Sequence, residues 1–190
     1  MIKSSYDLRS KTYDEHMKQI KELEKVISFE KENVEFCIKN AEMRGCCLDL
    51  GCGPGTTTDI IAMLNNIERV IGVDYDKNFI KYANSMKKSN KICYVNADCY
   101  DLPFPDDYFD SCYARYLFQH LKYPEKALDE IIRVVKNHGV IGIHDIDYDL
   151  VIHAPKVKYS DRIKKINTRL KAYYGSDMHI GRKIEQLYYK

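Results

Sequence analysis

The stretch Cys46–Asp74, CCLDLGCGPGTTTDIIAMLNNIERVIGVD, constrains this chain more than any other. Cys46–Leu50 is a short apolar run broken only by Asp49, and it reads as a central parallel strand. Gly51, Gly53 and Gly55 follow at alternate positions. Glycines this close allow a sharp turn and leave bare backbone against which a ligand can lie. Thr56–Thr58 are placed to cap a helix whose Ile60, Ile61 and Leu64 face a sheet. Arg69–Val73 then rebuilds a strand, with Asp74 at its carboxyl end. Ligands of parallel α/β sheets bind beyond the carboxyl ends of the strands. A carboxylate there, about twenty residues past the glycines, suits the two hydroxyls of a ribose.

The same alternation continues downstream. Phe79, Ile80, Ala83 and Met86 predict a helix over Lys77–Lys87, followed by a strand over Lys91–Asn96. Leu102-Pro103-Phe104-Pro105-Asp106 is a proline-stiffened loop before a strand at Phe109–Tyr113. Pro124–Lys136 predicts an amphipathic helix stopped by Asn137-His138-Gly139, and Val140–Ile146 a fifth strand. Upstream, Thr12–Ser28 and Phe29–Met43 read as two helices; Tyr159–Tyr173 and Arg182–Tyr189 read as two more. The expected class is therefore α/β.

Composition closes off several functions. The 190 residues fit one domain with a sizeable core. A net charge of +2 implies no strong field for nucleic acid or an acidic membrane. No apolar run approaches the roughly twenty residues of a membrane span, and the N-terminus has no apolar signal core. Seven cysteines, several in expected buried strands and none with zinc spacing, suggest a reduced, cytoplasmic setting and require no metal. The stripe Arg162, Lys164, Lys165, Arg169 and Lys171 reads as a solvated helix face ahead of a nucleic-acid surface.

Gly51-Cys52-Gly53-Pro54-Gly55 is GxGxG, whereas the dinucleotide fingerprint is GxGxxG, which disfavours an NAD-dependent oxidoreductase. Asp49 would repel a diphosphate and could hold an ammonium group. LDLGCGPG followed by GVD closely resembles motif I and the acidic loop of class I S-adenosylmethionine-dependent methyltransferases. ADCYDLPFPDDYFDSCYA resembles the stretch that joins their motifs II and III, and the resemblance covers roughly Cys46–Ile146.

The resemblance implies a Rossmann-like, doubly wound, mostly parallel sheet, of which five strands are recognisable here in the order 3-2-1-4-5. The family's final antiparallel strand pair is not found, so the chain reads as lacking it. A fifth strand left as an exposed apolar edge invites cover by a second copy of the chain or by a rearranged terminal segment. One methyltransferase domain over 1–190 is expected: a helical cap over 1–44, a cofactor-binding core over 45–150 and C-terminal helices over 151–190.

The cofactor implied is S-adenosyl-L-methionine, leaving as S-adenosyl-L-homocysteine. Gly51, Cys52, Gly53 and Gly55 would lie along its methionine moiety, and Asp49 would organise the loop or meet the amino group. Asp74 would take the ribose hydroxyls and Tyr75 would flank the adenine. Asp98 and Cys99 would read the adenine edge, and Arg115 could meet the methionine carboxylate or a substrate acid. Tyr13, with Tyr6, would belong to a lid. His120 and His144 are the candidate bases, since histidine titrates near working pH, and Asp145 could orient an imidazole or bind a cationic substrate. A small-molecule acceptor is expected; a tRNA or protein methyltransferase, and an inactive scaffold that still binds the cofactor, stay open.

Overall fold

A computed structural model describes residues 28, 31–147, 165–166, 169, 173 and 175–188. Five strands, β1 Gly45–Leu50, β2 Ile67–Asp74, β3 Ile92–Asn96, β4 Phe109–Arg115 and β5 Val135–His144, form one sheet. Their order is β3-β2-β1-β4-β5 and every pairing is parallel. This is the Rossmann-like arrangement expected from the sequence. Helix α1 spans 31–40, α2 Thr56–Ala62, α3 Lys77–Met86 and α4 Pro124–Val134.

Side chains of a strand alternate between faces, and here that alternation builds two cores. Cys47, Val70 and Tyr113 point to one face, which Val34 and Ile38 of α1, Ile60 and Ile61 of α2 and Ile80 of α3 cover. Leu48, Leu50, Ile71, Val73 and Cys112 point to the other, against Leu128, Ile131 and Val134 of α4. Buried on both faces, β1 can carry almost no polar residue, which is why its run reads as apolar.

Two local expectations change. The threonines do not cap α2: Gly55 holds the cap position at φ 90° without a side-chain bond, and Thr58 instead donates to Asp49 at 2.6 Å. Helix α4 ends at Val134, before the Asn137-His138-Gly139 signal, and Val135 already pairs with Phe109 as strand. The cause is that the loop before β4 caps the helix early. The amides of Asp107 and Tyr108 donate to the last carbonyls, those of Arg133 and Val134, at 3.0 and 2.8 Å. Residues 136–139 then lie where the register of β5 shifts against β4, with His138 at φ 63°.

The expected helix Thr12–Ser28, apart from Ser28, and the lid residues Tyr6 and Tyr13 lie outside the described residues, as does most of the basic stripe. Among the described residues no strand pairs with the outer edge of β5, and no helix is long and apolar enough to cross a membrane. All seven cysteines are free.

Candidate active site at the carboxyl ends of the strands

The loop after β1 is built from left-handed backbone. Gly51, Gly53 and Gly55 have φ of 76°, 51° and 90°, which other residues adopt only at a cost of roughly 1–2 kcal/mol each. At Gly55 a side chain would also strike the Tyr94 hydroxyl, whereas a Cβ on Gly53 would meet nothing within 4 Å. Gly53 therefore presents bare backbone to open space. The amides of Gly51 and Cys52 both donate to the Val73 carbonyl, at 2.8 and 3.0 Å.

Asp74 joins the two strand ends. Its Oδ2 accepts from the Gly53 amide and its Oδ1 from the Asp76 amide, each at 2.8 Å. The carboxylate thus holds the glycine loop in place while each oxygen keeps a further lone pair for a ligand. Sequence placed this residue at a ribose and missed its second task.

A cavity of about 370 Å³ opens here. Of the residues singled out from sequence, Gly51, Asp74, Tyr75, Asp98, Cys99 and His120 line it. Tyr100, Leu117, Leu121 and Lys122 line it too and went unnoticed, although their place just beyond β3 or β4 is a position from which side chains reach such clefts. Asp98 turns back on its own backbone, accepting from the Tyr100 amide at 3.0 Å. Burial pushes the Cys99 thiol up to about 12, with the Asp98 charge adding to it. Tyr75 is 78% exposed at the rim.

Asp49, Cys52, Gly53, Gly55, Arg115 and His144 do not line that cavity. Asp49 is buried beneath the loop, 1% exposed. One oxygen takes the Thr58 hydroxyl; the other has no hydrogen-bond partner among the described residues. Burial lifts its carboxyl to about 7; the Thr58 bond opposes this and the Asp74 charge adds to it. Cys52 is buried, its Sγ 3.7 Å from the Gly53 carbonyl oxygen.

The ends of β4 and β5 make a second cluster. The Arg115 guanidinium lies 4.2 Å from the centre of the Tyr116 ring, and Tyr116 sits at φ 55°, its amide donating to the His144 carbonyl. His144 is half-buried, with Nδ1 3.1 Å from the Tyr113 hydroxyl and 3.9 Å from Cys37 Sγ. Burial, and then the Arg115 charge, push its pKa down, so the ring is neutral at pH 7. His120 instead ends the 3₁₀ turn Phe118–His120 on the cavity wall. Asp145 Oδ2 accepts the Gln119 amide of that turn at 3.1 Å, and the Asp177 amide donates to the Gln119 carbonyl at 3.0 Å. The two candidate bases are thus in different surroundings, one facing the cavity and one hydrogen-bonded into the sheet.

A parallel sheet in this order, a left-handed glycine loop and an acid closing it at the next strand end define a Rossmann-like α/β protein with its cleft at the switch in strand order. The methyltransferase-domain family matches residues 48–143, half of the chain, and the chain belongs to that family. It is 36% identical over 121 residues to the uncharacterized methyltransferase YcgJ of Bacillus subtilis, covering 61% of this chain and 47% of that protein. It is 34% identical over 111 residues to sterol 4-C-methyltransferase strm-1 of Caenorhabditis elegans, covering 54% and 33%. To demethylmenaquinone methyltransferase of Clavibacter sepedonicus it is 32% identical over 97 residues, covering 50% and 39%. The chain thus spans less than half the length of these three relatives. The crystal structure of YcgJ superposes with a TM-score of 0.56 at 30% identity, over 60% of this chain and 51% of that one.

Proposed function

We propose that this chain is a cytoplasmic methyltransferase that takes the methyl group of S-adenosyl-L-methionine and places it on a small-molecule acceptor. The observation that carries this reading is the joint made by Asp74: an acid on the cavity wall that grips a glycine loop whose middle residue faces open space. The residues present fit the cofactor. Asp74 has lone pairs left for two ribose hydroxyls, and the exposed Tyr75 ring can flank an adenine whose edge Asp98 and the Cys99 amide would read. The loop from Gly51 to Gly55, Cys52 included, would hold the methionine moiety. The oxygen of Asp49 that has no partner among the described residues would serve the amino group, and Arg115 a carboxylate. When bound, the cofactor supplies a methyl group on a positively charged sulfur.

This chain's own residues align the partners and exclude water, from which most of the acceleration of a displacement can come. Where the acceptor carries a proton, His120 is the base we favour, because it lines the cavity while Nδ1 of His144 is engaged by Tyr113. Tyr13 remains the proposed lid residue. Two of the relatives are named for a sterol and a demethylmenaquinone substrate, which supports a small acceptor over nucleic acid. A second copy of the chain is the proposed cover for the edge of β5. The test is titration calorimetry with S-adenosylhomocysteine, followed by transfer of labelled methyl to a panel of sterols, quinols and amines. Saturable binding with transfer is expected. No heat of binding at millimolar ligand would end this reading.

A further inference from the structure

One wall of the cavity is the segment Ala97–Tyr100, and it belongs to no helix or strand. One end is fixed by β2: the Ala97 amide donates to the Asp74 carbonyl at 3.2 Å, and the Asn96 side chain donates to the carbonyls of Asp74 and Tyr75, each at 2.8 Å. The other end leads, two residues beyond Tyr100, into a set of contacts that sequence reading left aside. Glu130 and Arg133, one turn apart on α4, grip this loop by its backbone. Glu130 Oε2 accepts the Leu102 amide at 2.9 Å. Arg133 donates to the carbonyls of Leu102 and Phe104 at 3.0 and 2.8 Å, and to the Asp106 carboxylate at 2.9 Å. Two further bonds, at 2.9 and 2.8 Å, lock Arg133 onto Glu130. Neither residue lines the cavity.

A surface ion pair alone would stabilise little. This one differs because the fork of one guanidinium is spent on backbone acceptors of a loop, and a planar donor set fixes direction as well as distance. Between the β2 anchor and the α4 grip only the turn at 98–101 is left, closed by the Asp101 amide on the Asp98 carbonyl at 3.2 Å. A third tether, the Tyr123 amide on the Tyr100 hydroxyl at 3.2 Å, also comes from the approach to α4. Helix α4 thus fixes the far end of the turn that carries Asp98 and Cys99.

We propose that Glu130 and Arg133 are positioning residues of the nucleoside site, which hold the Asp98–Cys99 wall at ligand distance without touching the ligand. This rests on the reading under Proposed function. The substitution that separates positioning from bulk stability is Arg133→Lys, which keeps the charge and loses the fork. Two readouts are taken on the full chain: affinity for S-adenosylhomocysteine by calorimetry, and hydrogen exchange of the amides at 98–102. The expected result is an affinity loss of tenfold or more, with faster exchange confined to that segment and the β1 and β4 amides unchanged. Glu130→Gln keeps an acceptor for the Leu102 amide and should give a smaller loss, so it serves if the first variant folds poorly. Affinity within twofold of wild type for both variants, with or without faster exchange, would overturn the proposal. Failure of the unaltered chain to bind S-adenosylhomocysteine would remove both this proposal and the reading it rests on.

Discussion

The two sides of the cleft are held by different means. On the β1–β2 side the backbone does the shaping: three left-handed glycines, a shared carbonyl at Val73 and one carboxylate on an amide. On the β4–β5 side, groups from distant parts of the chain meet: the Cys37 and Tyr113 side chains at His144, and the Asp145 carboxylate and the Asp177 amide at the turn that bears His120. Backbone-built shape leaves no room for a side chain at Gly55, whereas side-chain clusters can lose one member and keep the rest. The first side suits a ligand that never changes, and the second suits a partner that does.

Substitutions can break that contrast, beginning at its seam. Asp49 is neutral in the fold up to about pH 7, whereas in the unfolded chain it ionises near 3.8, the ordinary value for an aspartate. Between those pH values the unfolded chain gives up a proton that the folded chain keeps, so this group makes the fold less stable as pH rises. Asp49→Asn removes the effect, and its stability relative to wild type should rise across that window by on the order of 4 kcal/mol, read from urea unfolding at several pH values. A parallel profile for the two proteins would show Asp49 to be charged in the fold.

Next in size is Asp74→Ala, which removes two hydrogen bonds to a charged group and frees the glycine loop. Affinity for S-adenosylhomocysteine should fall by about 2–4 kcal/mol by calorimetry, and an unchanged affinity would take Asp74 out of the site. Gly55→Ala forces a side chain into left-handed backbone against Tyr94. Thermal unfolding should show a loss of roughly 2–3 kcal/mol, and a loss below 1 would mean that the loop can reshape. The smallest effect is expected across the cleft. Tyr113→Phe deletes the hydroxyl at His144 and should lower stability by about 1 kcal/mol in urea titration. If it matched Gly55→Ala, the two sides would not differ in the way drawn here.

The same contrast explains what could be read from the sequence. Glycine spacing, an acid at a strand end and apolar runs are local signals, so the strands, the glycine loop and the place of Asp74 were legible from the residues themselves, whereas the strand order and the place of Asp98 came from the family resemblance. His120 and His144 looked equivalent because each follows a strand that reaches the cleft. Only the fold shows that Tyr113 and Cys37 engage one while the other faces the cavity. The end of α4 was misplaced for a related reason. Its stop signal is not in the helix's own sequence; it comes from amides of residues 107 and 108, 26 positions upstream of the carbonyls they cap. Thr58 looked like a cap because a cap is the common use of a threonine there, and the buried Asp49 across the sheet face redirected it.

The wholly parallel pairing of the sheet bears on how the chain reaches this state. No two of its strands can zip through a tight hairpin. The central ladder, where β1 meets β4, joins residues 64 positions apart along the chain, Cys47 with Ser111 being the first pair. Loops of that length must close before the ladder returns any free energy, so folding should be slow for a domain of this size. The last step to mature would be the seam between the two sides of the cleft, and a ribosome would have to release β4 before the central ladder could close.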